Sequence, residues 1–286
     1  MEKQDRAFSS TIARILLCGF YFFSPGPAVA RPRSPVKGSR KVLVILSGEH
    51  TLRLVGGKTH ETGFFLNELS VPLRALVAAG YTPIIATPGG RPPAMDVASA
   101  TEKYFHGDRR KYLAAGEFVS GLNILAPGSS VIPLGSVTDE ELAHYSAVFV
   151  PGGQAPMIEL FRDPQAGRIL RRAHALQLPT ALICHGPVTL LSARDENKPL
   201  DWIYRGYRMT VFSDEEESRA ESKVLGGKLA YYPEDALRAA GGLLEQGPSG
   251  AAHIVQDREL LTGQNPASDE EFSTALLTML DNARKP

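Results

Sequence analysis

Cysteine is almost absent from this chain of 286 residues: there are two, Cys18 and Cys184. One disulfide at most is possible, so the fold must rest on an apolar core and not on a covalent framework. An excess of charge is missing as well. The 31 basic residues balance 31 acidic ones, and without a polybasic stretch there is no electrostatic reason to expect nucleic acid as a partner. Long apolar runs are lacking too. The longest near the N-terminus, residues 15–23, is too short to span a bilayer, so no membrane partner is expected. Internal repeats and low-complexity linkers are also missing. What remains is 43% hydrophobic and 22% charged, ordinary globular material, read as a single domain over residues 31–286.

The first 30 residues read as a leader. Lys3, Arg6 and Arg14 precede the apolar stretch, and Ala28-Val29-Ala30 has the small-x-small form of a cleavage site. A signal peptide over residues 1–30 implies a periplasmic or secreted protein; the alternative is a cytoplasmic one with an apolar extension. Cleavage would delete Cys18 and leave Cys184 as the sole thiol, on a chain of net charge −1 with 28 basic and 29 acidic residues. A lone thiol in an oxidising compartment marks a reactive group.

Cys184 ends an apolar run, Ala181-Leu182-Ile183, and is followed by His185, Gly186 and Pro187. The run reads as a buried strand and the residues after Gly186 as the opening of a helix, with proline near its first position. Cys184 is then placed on a strand-to-helix elbow, where a helix N-terminus and a neighbouring imidazole are expected to lower the pKa of its thiol. The competing reading is an inert core cysteine.

Elsewhere the pattern alternates. Strands are expected at 42–46, 82–87, 147–150, 180–183 and 208–212, and helices at 63–79 (with a kink at Pro72), 165–178, 234–240 and 268–280. Ser268 with Glu271, and Ser213 with Glu216, have the spacing of capping boxes. This order implies an α/β three-layer sandwich, a mostly parallel sheet with helices on both faces. Residues 89–144, with a helical run at 101–118, are too long for an ordinary crossover and are read as an inserted cap segment near the site.

Taken in order, Lys41 to Leu46, Thr62 to Leu69 with Pro72, Ala79-Gly80-Tyr81, Pro151-Gly152-Gly153, Ile183 to Pro187, Thr210 to Glu217 and Leu261 to Ser268 resemble the DJ-1/PfpI superfamily. Within it the chain is most similar to the Hsp31-like branch. The resemblance implies a flavodoxin-like fold and a glutathione-independent glyoxalase III or deglycase activity on methylglyoxal or a related 2-oxoaldehyde, with holding-chaperone behaviour as the alternative. An amidase or glutamine-amidotransferase-like hydrolase on the same elbow is a further alternative. The implied partners are small carbonyl compounds, unfolded or glycated proteins, and a second copy in a homodimer. No metal or cofactor is implied.

The resemblance makes Cys184 the nucleophile, His185 its neighbouring base, Glu68 the carboxyl touching the thiol, and the backbone N–H groups of Gly153 and His185 an oxyanion hole. Gly152 and Gln154 fall at substrate-binding positions. Glu217 falls where the branch places the acid that orients the histidine, with Asp214 as competitor, because the acidic run also suits a helix N-terminus. Gln154 and Ala155 depart from the histidine and glycine common in the branch, which bears on substrate more than on fold. From the residues themselves, Glu68 shares a helical face with Phe64 and Phe65, and a carboxyl among aromatics should be desolvated and protonated. Glu49-His50 and His60-Glu61 do not have a recognised zinc-ligand spacing, and His106, His144 and His174 are scattered.

Overall fold

The computed structural model of the protein describes residues 40–194 and 201–284; the expected leader lies outside the described residues. The strands are β1 (Lys41–Ile45), β2 (Thr51–Arg53), β3 (Thr59–Glu61), β4 (Thr82–Thr87), β5 (Ile132–Pro133), β6 (Tyr145–Val150), β7 (Thr180–Ile183), β8 (Arg208–Met209), β9 (Leu243–Leu244), β10 (Ile254–Asp257) and β11 (Leu260–Gly263). Helices are α1 (Leu66–Ala78), α2 (Arg109–Gly121), α3 (Asp139–Leu142), α4 (Pro164–Ala175), α5 (Asp214–Ala220), α6 (Pro233–Ala240) and α7 (Asp269–Arg284). Seven strands form the main sheet in the order β10-β11-β7-β6-β1-β4-β5, parallel except for the β10–β11 hairpin. The remaining four strands make two small two-stranded sheets.

Side chains alternate across the sheet and divide the core in two. Val42, Val44, Phe149, Ala181 and Ile183 face α1, α2 and α7, whereas Leu43, Ile45, Val148, Val150 and Leu182 face α4 and α6. Both faces are covered, which is why these strands read as continuous apolar runs. The three-layer α/β expectation holds. The chain moves in opposite directions from β1 to its neighbours β4 and β6, so the carboxyl ends of β1, β6 and β7 border a switch point where α/β sheets place their ligands.

Several local expectations are corrected. Helix α1 starts at Leu66 and not at Gly63, because Phe64 is held extended against residues 94–96: its N–H donates to Ala94 O and its carbonyl accepts from Asp96 N–H, both at 2.9 Å. Phe64 therefore does not share a helix face with Glu68. The strand expected over 208–212 is only β8; beyond it Thr210 N–H donates to Thr262 Oγ1 (2.8 Å) and Phe212 N–H to Cys184 O (3.0 Å), which carries the chain off the sheet and over the elbow. Ser268 does not cap α7 with Glu271. Its hydroxyl instead bonds His253 and Asn265 in a 3₁₀ turn, Pro266–Ser268, capped by Asn265. The capping box of Ser213 and Glu216 is present on α5.

Residues 89–144 divide their work. The helical run expected at 101–118 is a 3₁₀ turn, Glu102–Phe105, followed by α2. Helix α2 packs on α1, and β5 pairs with β4 as the sheet edge, so these parts complete the sandwich. Only the stretch from Asp96 to His106 reaches the cavity described below.

Candidate active site

Strand β7 delivers Cys184 at the carboxyl edge of the sheet with φ +60°, a left-handed conformation that side chains rarely adopt. The residue is clamped on both sides: its N–H donates to Gly263 O at 2.8 Å and its carbonyl accepts from Phe212 N–H at 3.0 Å. This is the strained turn of a nucleophile elbow. The helix that follows, Gly186–Ala193, is 3₁₀, with Pro187 in its first turn.

The thiol Sγ lies 3.1 Å from Nδ1 of His185, and His185 Nε2 lies 3.0 Å from Glu217 Oε1. Glu217 as a carboxylate can only accept, so Nε2 carries a proton and Nδ1 is free to take one from sulfur. Both partners are buried. Phe212 stacks on the imidazole with centroids 4.7 Å apart at 29°, so the ring is fixed in plane as well as in tilt. Burial opposes the imidazolium of His185, yet the charge and hydrogen bond of Glu217, with Glu68 and Glu216 behind, outweigh it and raise its pKa.

The competition between acids is resolved by what each one already holds. Glu216 is consumed by capping and by Gly250 N–H (2.7 Å), Asn265 Nδ2 (2.8 Å) and Gln264 Nε2 (3.0 Å). Glu215 pairs with Arg219 on the surface. Asp214 faces α6, where its own N–H donates to Glu234 Oε2 at 2.9 Å. Only Glu217 turns inward to the imidazole.

Burial, and then the charges of Glu234 and Asp235, raise the Asp214 carboxyl to about 6. Its folded value lies above the ordinary one of about 4, so stability is lost as pH rises from about 4 through about 6. Asp214→Asn should remove that loss. The expected outcome in urea titrations is a gain of up to about 1 kcal/mol at pH 7.5, kept small by solvent screening of a partly exposed group, and no gain at pH 4.

Glu68, in the first turn of α1, is fully buried beside the thiol. Burial raises its pKa to about 8, against the smaller opposing effects of the thiol, the His185 charge and the Gly152 amide. The helix dipole favours the carboxylate here by about 1 kcal/mol at most, so desolvation wins and the acid is protonated at neutral pH. Neither carboxyl oxygen has a hydrogen-bond partner of full geometry, which leaves the group available to a ligand. The desolvated carboxyl expected from sequence is present, three residues after Phe65, which is the N-cap of α1.

Burial also pushes the Cys184 thiol well above its ordinary value, followed by the charge and hydrogen bond of Glu68, while the Gly153 amide draws it down. This reverses the sequence expectation of a lowered thiol. Sequence supplied the neighbouring imidazole but not the degree of burial.

Gly152 and Gly153 follow β6. A Cβ on Gly152 would lie 2.5 Å from both Cys184 Cβ and Glu68 Oε2 and 2.9 Å from His185 N, so only glycine lets the thiol, the carboxyl and the His185 amide converge. Gly153 has φ +84°, and a Cβ there would meet Gly63 O at 1.9 Å. Gln154 is buried at the cavity floor with Oε1 3.1 Å from Thr62 Oγ1, which also lies 2.8 Å from Asp96 Oδ2. Ala155 opens a 3₁₀ turn.

Above these groups is a cavity of about 430 Å³, walled by Phe65, Tyr104, Phe212 and Pro266. Phe212 and Tyr104 were not singled out from sequence; loops bring both in from elements distant along the chain. Glu49 is held by Arg91, and His50 and Glu61 form an exposed pair at 4.0 Å. Among the described residues no cluster of three or more metal-ligating side chains occurs, and no helix is long and apolar enough to cross a membrane.

The profile of the DJ-1/PfpI family matches residues 60–279. The chain is 28% identical over 254 residues to the protein/nucleic acid deglycase HchA of Pseudomonas aeruginosa, spanning 87% of this chain and 84% of that protein. It is 30% identical over 253 residues to the protein of the same name from Staphylococcus aureus, spanning 86% and 82%. Among solved structures, glyoxalase III from Candida albicans superposes with a TM-score of 0.61 at 16% identity, covering 84% of this chain and 96% of that one, a likeness of fold.

Proposed function

Since the chain belongs to the DJ-1/PfpI family, in the branch of the Hsp31-like deglycases, we propose that it is a cysteine-dependent enzyme converting 2-oxoaldehydes such as methylglyoxal to 2-hydroxy acids without glutathione. Supporting this reading above all is the buried line from Cys184 Sγ through His185 to Glu217, at 3.1 and 3.0 Å, with protonated Glu68 beside the thiol.

Sulfur attacks the aldehyde carbon as its proton passes to His185 Nδ1, and Glu217 steadies the imidazolium. The oxygen on the attacked carbon is received by the N–H groups of Gly153 and His185, and Glu68 gives it a proton. As a carboxylate, Glu68 then removes the hydrogen on that carbon, and electrons move onto the neighbouring carbonyl to give an enediolate. Return of that proton from Glu68 to the second carbon, as the hydroxyl proton on the attacked carbon goes back to Glu68 and the second oxygen takes the proton held on His185, leaves a 2-hydroxy thioester on Cys184. Water hydrolyses it, releasing the acid and the thiol. One aldehyde and one water give one hydroxy acid, with no external oxidant.

Glu217→Gln should slow turnover by about 10- to 1,000-fold, because the uncharged amide no longer stabilises the imidazolium. The deciding assay is lactate and glycolate production from methylglyoxal and glyoxal by purified protein, with and without iodoacetamide. Thiol-independent product, or none, would overturn the reading.

The relatives' name extends the expected substrates to glycated proteins and nucleic acids. Balanced charge argues against tight electrostatic binding of a polynucleotide, not against a glycated base in the cavity. A holding-chaperone reading has two exposed valines in its favour, Val224 on the cavity wall and Val97 beside lining residue Ala98, at 50% and 79% exposure. Aggregation suppression unaltered by Cys184→Ala would favour it. Export through residues 1–30 and a homodimer are parts of the same proposal, to be checked by N-terminal sequencing of the mature protein and by its mass in solution.

A further inference from the structure

The amide cradle beside Cys184 serves the oxygen on the carbon that sulfur attacks. A 2-oxoaldehyde has a second oxygen, on the adjacent carbon, and it is this atom that becomes negative when the enediolate forms. A donor for it has to come from a different wall of the cavity, and one wall is built from the segment inserted between β4 and β6.

Tyr104 stands on that wall. It lines the same cavity as Cys184, His185 and Gly153. Its ring is braced edge-on by Phe65, with centroids 4.8 Å apart at 78°. Phe65 is in turn tied to the glycine loop, its N–H donating to Gly152 O at 3.0 Å. The Lys103 ammonium lies over the ring, 5.3 Å from the centroid. The turn beneath is anchored by Phe105, which is 3% exposed in the core, and capped by Thr101. The phenol is thus held by packing while its hydroxyl has no hydrogen bond to the described residues. Burial raises the pKa of that hydroxyl, and the charges of Cys184, Glu68 and Asp96 add to the effect. A phenol kept protonated is a donor.

We infer that Tyr104 donates a hydrogen bond to the second oxygen of the substrate, stabilising the enediolate, and thereby selects carbonyl compounds that carry an oxygen on the carbon next to the aldehyde. The inference rests on the 2-oxoaldehyde reading of the Cys184 site. The proton stays on the phenol throughout; the bond strengthens as charge builds on the acceptor, so it acts mainly on kcat.

The test is Tyr104→Phe in the full chain, which keeps the ring and removes the donor. With methylglyoxal, kcat should fall by about 10- to 100-fold with KM changed less than about threefold. Alkylation of Cys184 by iodoacetamide should proceed at the wild-type rate, showing the elbow intact. A second measurement needs no turnover: protection of Cys184 from iodoacetamide by excess methylglyoxal, compared with propanal, which has the same carbon chain without the second oxygen. Tyr104→Phe should weaken protection by methylglyoxal measurably, by no more than about threefold, and leave protection by propanal unchanged. If wild type makes no lactate but this difference appears, the enzymatic reading and the enediolate role fall together, and only the contact of Tyr104 with the second oxygen stands. Equal kcat and equal protection in both proteins, or slowing of alkylation and of both protections alike, would overturn the inference.

Discussion

Cys184→Ser lowers lactate production from methylglyoxal by at least about 10⁴-fold, to background, while the melting temperature stays near that of wild type. The size of the effect follows from the chemistry: every intermediate proposed here is bound to sulfur, and a serine hydroxyl is a far weaker nucleophile without a base of matched strength. The constancy of the fold follows from the backbone. Residue 184 is held at φ +60° by a hydrogen bond donated by its own N–H and another accepted by its carbonyl, which serine and alanine retain along with a Cβ, so the strain is the same in all three proteins. Cys184→Ala should behave like the serine variant. Lactate production and differential scanning calorimetry on the same preparations check both halves, and wild-type turnover in either variant would remove the nucleophile from the account.

Glu68→Gln is the second large effect, and it has opposite signs in activity and stability. The amide cannot exchange protons, so kcat should fall by about 10²- to 10⁴-fold. Stability should rise at alkaline pH. The folded pKa of about 8 lies above the ordinary 4.5, so the native protein holds this proton while the unfolded chain releases it. Stability is therefore lost as pH climbs from about 4.5 through about 8, by about 3 kcal/mol at pH 7. The variant has no such titration. Its unfolding free energy should exceed that of wild type most at pH 8.5 and converge with it towards pH 4.5. A protein keeps a buried acid at this cost to stability where activity needs it.

These two residues illustrate how much sequence made legible. Cys184 was found because an apolar run stops at a thiol followed by His-Gly-Pro, a local signal that fixes a strand end and a turn; β7 falls on residues 180–183 as read. Glu68 was found through resemblance and through its aromatic surroundings, although the helical register assumed for Phe64 was displaced by its pairing to residues 94–96. The acid on His185 was named as Glu217 through resemblance alone, with Asp214 left as competitor, since consecutive acids on one helix turn differ only in which neighbour meets them. Glu216 is taken by loop amides and Asp214 by α6, contacts separated from them by tens of residues in the chain. Phe212 was hidden for the same reason, as it reaches His185 only because its N–H is bonded to the carbonyl of Cys184.

The thiol is where local reading and three-dimensional environment differ most. An adjacent imidazole suggests a thiolate, but full burial beside a carboxyl favours keeping the proton. Cys184, Glu68 and His185 are therefore best viewed as one group sharing protons, and in the proposed mechanism the thiol gives its proton to His185 as it attacks and not beforehand. Iodoacetamide should accordingly react slowly with the resting protein, and faster as pH rises.

The central claim, that Cys184 forms a covalent bond to the substrate carbon, is tested most directly by acid-quenching the protein during turnover of methylglyoxal and locating the adduct by peptide mass spectrometry. The expected result is a mass increase of one methylglyoxal on the peptide containing Cys184, present during turnover and gone when substrate is exhausted. Lactate accumulating with that peptide unmodified at every time point would contradict the account.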